Sequence, residues 1–216
     1  VFADRRDAGR QLAQGLLALA PELPVVVALP RGGVVVGFEV ARALVAPLDV
    51  LVVRKLGAPR NRELGVGAIA EGGATVCDVA AVARAGMSQQ SLDATLERER
   101  HELLRRVARY REGRPRVALS GRSVIVVDDG LATGLTALAA VRALRSNRAG
   151  RIVVAVPVGA RESIAMLARE ADEVICHTVP PQMLAVGHWY ADFSPVSDDE
   201  VLSLLAGGGD LDTPTT

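Results

Sequence analysis

The chemistry in this 216-residue chain is most concentrated in the run Val126-Val127-Asp128-Asp129-Gly130-Leu131-Ala132-Thr133-Gly134-Leu135-Thr136. Two adjacent carboxylates close an apolar stretch, and a short turn carrying glycines and threonines then opens a helical pattern. Ligands of parallel sheets bind beyond the carboxyl ends of the strands. A helix that starts there offers unpaired backbone N–H groups and the positive end of its dipole. Thr133 and Thr136 add hydroxyl donors, and Gly134 lets the backbone approach closely. That set of donors suits a phosphate dianion. Asp128 and Asp129 repel such a group, so they must serve another part of the ligand. Vicinal sugar hydroxyls, which donate to carboxylates, fit that need. The expected ligand is therefore a phosphorylated sugar. Any one of these residues alone reads as a cap or a turn residue; their order gives the functional reading. No GK[ST] follows, which excludes a P-loop.

Three further segments carry candidate chemistry. Leu29-Pro30-Arg31-Gly32-Gly33 joins an apolar run to a helical one. It reads equally as an anion-binding turn, with Arg31 adding charge, or as a plain strand–helix corner. Residues 54–71 hold Arg54, Lys55, Arg60, Arg62, Glu63 and Glu71 among glycines and a proline, the pattern of a charged loop. Trp189, Tyr190 and Phe193 are three of the six Phe, Trp and Tyr residues, which marks their segment as either local core or a stacking wall for a flat base. His101, His177 and His188 have neither metal-ligand nor triad spacing, and Cys77 and Cys176 form no CxxC pair, so no zinc site is expected.

The elements that would position these residues alternate along the chain. Apolar, β-branched runs at 25–29, 49–53, 123–127, 152–157 and 173–177 read as strands, the first continuous enough to be buried on both faces. Helical spacing occupies 7–20, 34–44, 136–148 and 162–170. Ile69–Ala70 and Ala74–Cys77 flank Gly72-Gly73 as a hairpin. Residues 88–112 predict one long, largely exposed helix capped by Ser88. Another helix begins near Ser197, with Asp198 and Asp199 as caps. This order implies an α/β fold with a mainly parallel central sheet and helices on both faces. The tail 207–216 is small and polar and is expected to be disordered.

Lys plus Arg and Asp plus Glu each number 25, so the net charge is zero. That balance gives no general pull toward nucleic acid or a membrane surface. The apolar runs are too short to span a bilayer. No secretory signal is read at the start, and the two cysteines suit a reducing, cytoplasmic setting.

The run from Val126 to Thr136 resembles the phosphoribosyl-pyrophosphate (PRPP) signature of type I phosphoribosyltransferases, and the resemblance extends over most of residues 1–205. It implies a PRPP-binding core over 1–177 with a helical insertion near 88–112, and a small C-terminal hood over 178–206. Asp128 and Asp129 would hold the ribose hydroxyls and, through water or PRPP, Mg²⁺. Residues Ala132, Thr133, Gly134, Leu135 and Thr136 would cradle the 5′-phosphate. Arg31 and Gly32 would belong to the pyrophosphate loop, with a cis Pro30–Arg31 bond. Residues 54–71 would form a flexible loop that closes over PRPP, with Arg54 and Lys55 meeting the pyrophosphate. Ala132 stands where hypoxanthine–guanine enzymes carry an acid, and no lysine follows the strand at 152–157, where Arg161 is the nearest cation. The catalytic acid is therefore sought in the loop, at Glu71 first and Glu63 second. Trp189, Tyr190 and Phe193 would face the acceptor.

The resemblance implies transfer of ribose 5-phosphate from PRPP to a nitrogenous base, a purine being favoured, and it allows a homodimer. A non-catalytic PRPP or nucleotide sensor with the same fold is the alternative. A hydrolase using Asp128 and Asp129 as a metal pair is a weaker one.

Overall fold

A computed structural model describes residues 1–59 and 61–208, with the backbone alone for residues 62, 63 and 208. Arg60, the side chains of Arg62 and Glu63, and residues 209–216 of the expected tail lie outside the described residues.

The chain order is α1 (Arg5–Gln14), β1 (Val25–Ala28), α2 (Gly32–Leu44), β2 (Leu48–Val50), β3 (Val53–Ala58), β4 (Asn61–Ala70), β5 (Thr75–Cys77), α3 (Val79–Arg84) and α4 (Gln89–Arg111). It continues through β6 (Val124–Val127), α5 (Leu135–Ser146), β7 (Ile152–Val158), α6 (Arg161–Leu167), β8 (Glu173–Thr178) and α7 (Asp198–Gly208). Five strands form a wholly parallel sheet in the order β2-β1-β6-β7-β8.

The continuous apolar runs follow from burial of both faces of this sheet. Val26, Ala28, Ile125 and Val127 pack into one core with α1, α2 and α7. Val25, Val27, Val124 and Val126 pack into the other beneath α5. Successive side chains of a strand point to opposite faces, so a two-sided sheet needs an apolar residue at every position. The strand order leaves β1 and β6 side by side at the centre. The turns that follow them, at 29–33 and 128–134, therefore open at the same edge.

Residues 54–71 depart from the loop expectation. They form a hairpin, β3 against β4, extended by β5 into a three-stranded antiparallel sheet. The glycines that suggest loop breaks are packing residues here: a Cβ at Gly67 would collide with the Val76 carbonyl, and one at Gly65 would lie 2.8 Å from Lys55 Cε. Such close approach is a common reason for glycine inside a strand. The pairing slips around Gly57, so the hairpin is irregular there.

The helix over 89–111 matches the one long, largely exposed helix expected over 88–112, and a few residues anchor it. Ser88 caps it, accepting from the Ser91 N–H at 3.2 Å. It buries Leu92, Thr95, Leu103 and Tyr110. The Tyr110 hydroxyl donates to Asp198 at 2.5 Å, and Arg111 donates to Asp49 at 2.5 Å. The cap of α7 is Ser197, which accepts from Glu200 N–H at 3.1 Å. Asp198 and Asp199 are thus not the caps: Asp198 faces Tyr110, and Asp199 pairs with Arg109 at 2.6 Å. α7 takes in Gly207 and Gly208, so the helix runs past the expected start of the tail. Among the described residues no helix is long and apolar enough to cross a membrane.

Candidate functional site

β6 delivers Asp128 and Asp129 to the rim of the parallel sheet. The Asp129 N–H donates to Asp128 Oδ1 at 2.9 Å, which turns the first carboxylate back over the strand end. The following turn is held by its carbonyls and by one buried residue. Leu131 N–H donates to the Val158 carbonyl, and the Leu131 carbonyl accepts from Ala160 N–H, both at 2.9 Å. Ser163 Oγ donates to the Ala132 carbonyl at 2.6 Å. The N–H groups of residues 132–136 donate to no protein acceptor among the described residues. A turn pinned in this way leaves its amides open to an anion.

Gly134 has φ +72, a left-handed conformation at the start of α5. A Cβ there would also stand 2.9 Å from Met166 Cε and 3.0 Å from Ser163 Cβ. Leu135 is buried, so it offers the turn its backbone only. Ala132 and Thr133 are exposed and Thr136 is half-buried. Asp128, Thr133, Gly134, Thr136, Lys55 and Val186 line a cleft of about 140 Å³.

Burial pushes the Asp128 carboxyl well above the usual carboxylate range, and the neighbouring Asp129 charge adds to the effect. Burial also raises Asp129, but a hydrogen bond from Arg5 opposes it. Arg5 Nε–H donates to Asp129 Oδ2 at 2.7 Å. The Tyr190 hydroxyl donates to the Asp129 main-chain carbonyl at 2.6 Å. Sequence reading missed Arg5 because it lies 124 positions away on α1. A lone arginine in an amphipathic helix carries no signal of its own.

The turn after β1 meets the acid pair directly. The Pro30–Arg31 bond is cis, as the resemblance implied. A Cβ on Gly32 would overlap the Asp129 carboxylate, and one on Gly33 would lie 2.8 Å from the Val127 carbonyl. The N–H groups of residues 31–33 donate to no protein acceptor among the described residues. The Arg31 side chain points toward α7, where Nη1 is 4.0 Å from Asp198.

Several expected site residues lie elsewhere. Glu71 is buried, 3% exposed, and its carboxylate meets Arg116, the Val52 N–H at 3.3 Å and Arg111 Nε at 3.8 Å. It lines a separate cavity of about 250 Å³ with Asp49, Arg111 and Arg116, so it is not brought to the cleft. Arg54 is held by Glu99 of α4, with bonds of 3.0 and 2.7 Å. Its neighbour Lys55, on the other face of β3, is the one that lines the cleft. Tyr190 is buried against Phe2, with ring centroids 5.5 Å apart, and acts as a brace rather than a wall. Trp189 is half-buried beside Phe2, and Phe193 is 37% exposed. Arg161, the nearest cation after β7, lines another cavity with residues 180–184.

A parallel sheet that sets an acid pair and an amide-lined helix start beside a second turn of free amides defines the type I phosphoribosyltransferase fold. The phosphoribosyl transferase domain model matches residues 5–185, and the chain belongs to that family. Proteins from two strains of Mycobacterium tuberculosis, provisionally named phosphoribosyl transferases, are 49% identical over 205 residues, or 95% of this chain. The alignment takes in 46% of those proteins, so the chain spans about half the length of the curated relatives it matches. The crystal structure of TT1426 from Thermus thermophilus superposes with a TM-score of 0.79 at 45% identity, covering 96% of this chain and 99% of that one.

Proposed function

We propose that the chain transfers ribose 5-phosphate from PRPP to a nitrogenous base, with a purine as the favoured acceptor. The observation that carries this reading is the turn at 131–136. The carbonyls of Leu131, Ala132 and Gly134 are tied to the protein while the amides of residues 132–136 are open, and Asp128 stands on the same cleft wall. The 5′-phosphate sits on the amides of residues 132–136 and the hydroxyls of Thr133 and Thr136. Asp128 and Asp129 accept the ribose hydroxyls. The acceptor lies toward Val186, Trp189 and Phe193.

In the reaction an acceptor nitrogen forms a bond to C1 of the ribose as the bond from C1 to the pyrophosphate oxygen breaks. The electron pair leaves with pyrophosphate, and the proton on the acceptor nitrogen passes to pyrophosphate or water. Positive charge builds on the ring during the transfer. The two carboxylates beneath it stabilise that charge, and the amide turn fixes the sugar's position.

Mg²⁺ suits this donor set in one particular way. The described residues contain no cluster of three His, Cys, Asp or Glu side chains able to hold a metal. Two carboxylates with substrate phosphates are the usual surroundings of this cation. Asp128 and Asp129 would hold it mainly through water and PRPP oxygens. When bound it would neutralise the charge of the leaving pyrophosphate.

One observation favours the non-catalytic alternative. Glu71 is committed to ion pairs away from the cleft, so Asp128 is the one carboxylate lining it among the described residues. A screen of purine and pyrimidine bases with PRPP and Mg²⁺, following pyrophosphate, separates the readings. Base-dependent release supports the transferase. Tight PRPP binding without release with any base supports the sensor, and failure to bind PRPP overturns both.

A further inference from the structure

We propose that Arg5 is a pyrophosphate-binding residue: its guanidinium keeps Nε on Asp129 and Nη1 on the Ser194 carbonyl and offers Nη2 to the diphosphate of the ligand. The inference rests on the PRPP reading and adds to that site a residue from the far end of the chain.

Three observations place it. The Arg5 side chain is 10% exposed and bonded to Asp129 at 2.7 Å. Nη1 donates to the Ser194 carbonyl at 2.9 Å, and the guanidinium carbon lies 3.8 Å from the centre of the Phe193 ring. The plane of the group is therefore fixed by a carboxylate, a carbonyl and a ring face. The third observation is its neighbour: a Cβ on Gly32 would come within 2.6 Å of Arg5 Nε. Arg5 thus stands between the acid pair and the turn with open amides at residues 31–33.

Nη2 donates to no protein acceptor among the described residues. A guanidinium already held in one plane by two bonds and a ring face needs no further ordering to donate from Nη2 to a phosphate oxygen. The other arginines expected to meet the pyrophosphate are engaged elsewhere, Arg31 toward Asp198 and Arg54 on Glu99. The same crowding explains why the arrangement needs glycine at position 32, since any side chain there would displace both Asp129 and Arg5.

The test compares two ligands that share a phosphate and a diol but differ in pyrophosphate. Calorimetric titration of the full chain with PRPP plus Mg²⁺, and separately with ribose 5-phosphate, is carried out for wild type, R5M and R5K. R5M is expected to weaken PRPP binding by about 30-fold or more, the scale of losing one partner of a desolvated charge contact. Ribose 5-phosphate binding should fall far less, and R5K should recover part of the PRPP affinity. The ratio of the two affinities is read within each variant, so a partly unfolded sample cannot imitate the result. Equal losses for both ligands, or an unchanged ratio in both variants, would overturn the assignment while leaving the PRPP reading intact. A wild type that binds neither ligand would overturn that reading and the assignment with it.

Discussion

Asp128 shows how a residue proposed to bind the ligand can work against the fold that carries it. Its carboxyl is buried at a strand end beside a second carboxylate, and both effects raise its pKa. A carboxyl whose pKa is higher in the folded chain than in the unfolded one binds protons preferentially in the folded state. Its contribution to stability is full below the pKa of the unfolded carboxyl and is lost progressively as pH rises from there through the raised value. D128N should therefore raise the melting temperature of the ligand-free chain at pH 7–8, with a gain of about 1 kcal/mol, and the gain should shrink as pH is lowered. The same variant should lose PRPP binding. Thermal melts across pH, paired with titration of PRPP, check both parts. Gly134 lies at the opposite extreme, where the proposed role rests on backbone shape alone. G134A places a methyl on a left-handed residue and against Met166 and Ser163. Destabilisation of about 1–2 kcal/mol is expected from the backbone alone, with a loss of ribose 5-phosphate affinity measurable by calorimetry.

At the scale of elements, the hairpin of β3 and β4 is the clearest case of tertiary context overriding a local pattern. Gly57, Gly65 and Gly67 with a proline and several charges read as a loop. The strands form because Leu56, Val66, Ala68 and Ile69 are buried and because the glycines admit Lys55 and the Val76 backbone. Glu71 follows from the same packing. It ends β4 beneath the chain at 111–117, where Arg111 and Arg116 neutralise it. Removing one partner from a buried ion pair strands the others, so E71A should cost about 3 kcal/mol in chemical denaturation. PRPP affinity should stay at the wild-type value, because the cluster lies outside the cleft. A selective loss of PRPP binding in a folded E71A protein would return Glu71 to the site.

Across the whole molecule, the residues before α1 meet the segment between β8 and α7 over the acid pair. Phe2 N–H donates to the Trp189 carbonyl at 2.8 Å, Ala191 N–H to the Phe2 carbonyl at 2.8 Å, and Asp192 N–H to the Ala3 carbonyl at 2.9 Å. Arg5 and Tyr190 then reach Asp129 from that ribbon, one at its carboxylate and the other at its carbonyl. A ligand that engages Asp129 is thereby coupled to contacts spanning the chain. PRPP with Mg²⁺ at about a hundred times its dissociation constant should stabilise the native state by about 2.7 kcal/mol. For a chain of this size that is a rise of roughly 5–10 °C in the melting temperature. Differential scanning calorimetry reads it directly, and D128N should abolish the shift.

The amino-acid sequence by itself determined what is local. A run of β-branched residues at every position requires a strand covered on both sides, and a carboxylate pair followed by Gly-Leu-Ala-Thr-Gly requires a turn that opens a helix. Those constraints act within a dozen residues, so the parallel sheet, the acid pair and the amide turn were legible, as was the turn at 30–33. Only the tertiary structure decided which charged side chains face the cleft. Arg54, Lys55 and Glu71 belong to one stretch of chain, yet strand alternation and the partners on α4 and at 111–116 send them to three different surroundings. Arg5 arrives from α1 because residues 2–3 pair with residues 189–192. Long-range pairing of this kind is set by packing and charge neutralisation across the fold, and no pattern within α1 encodes its destination.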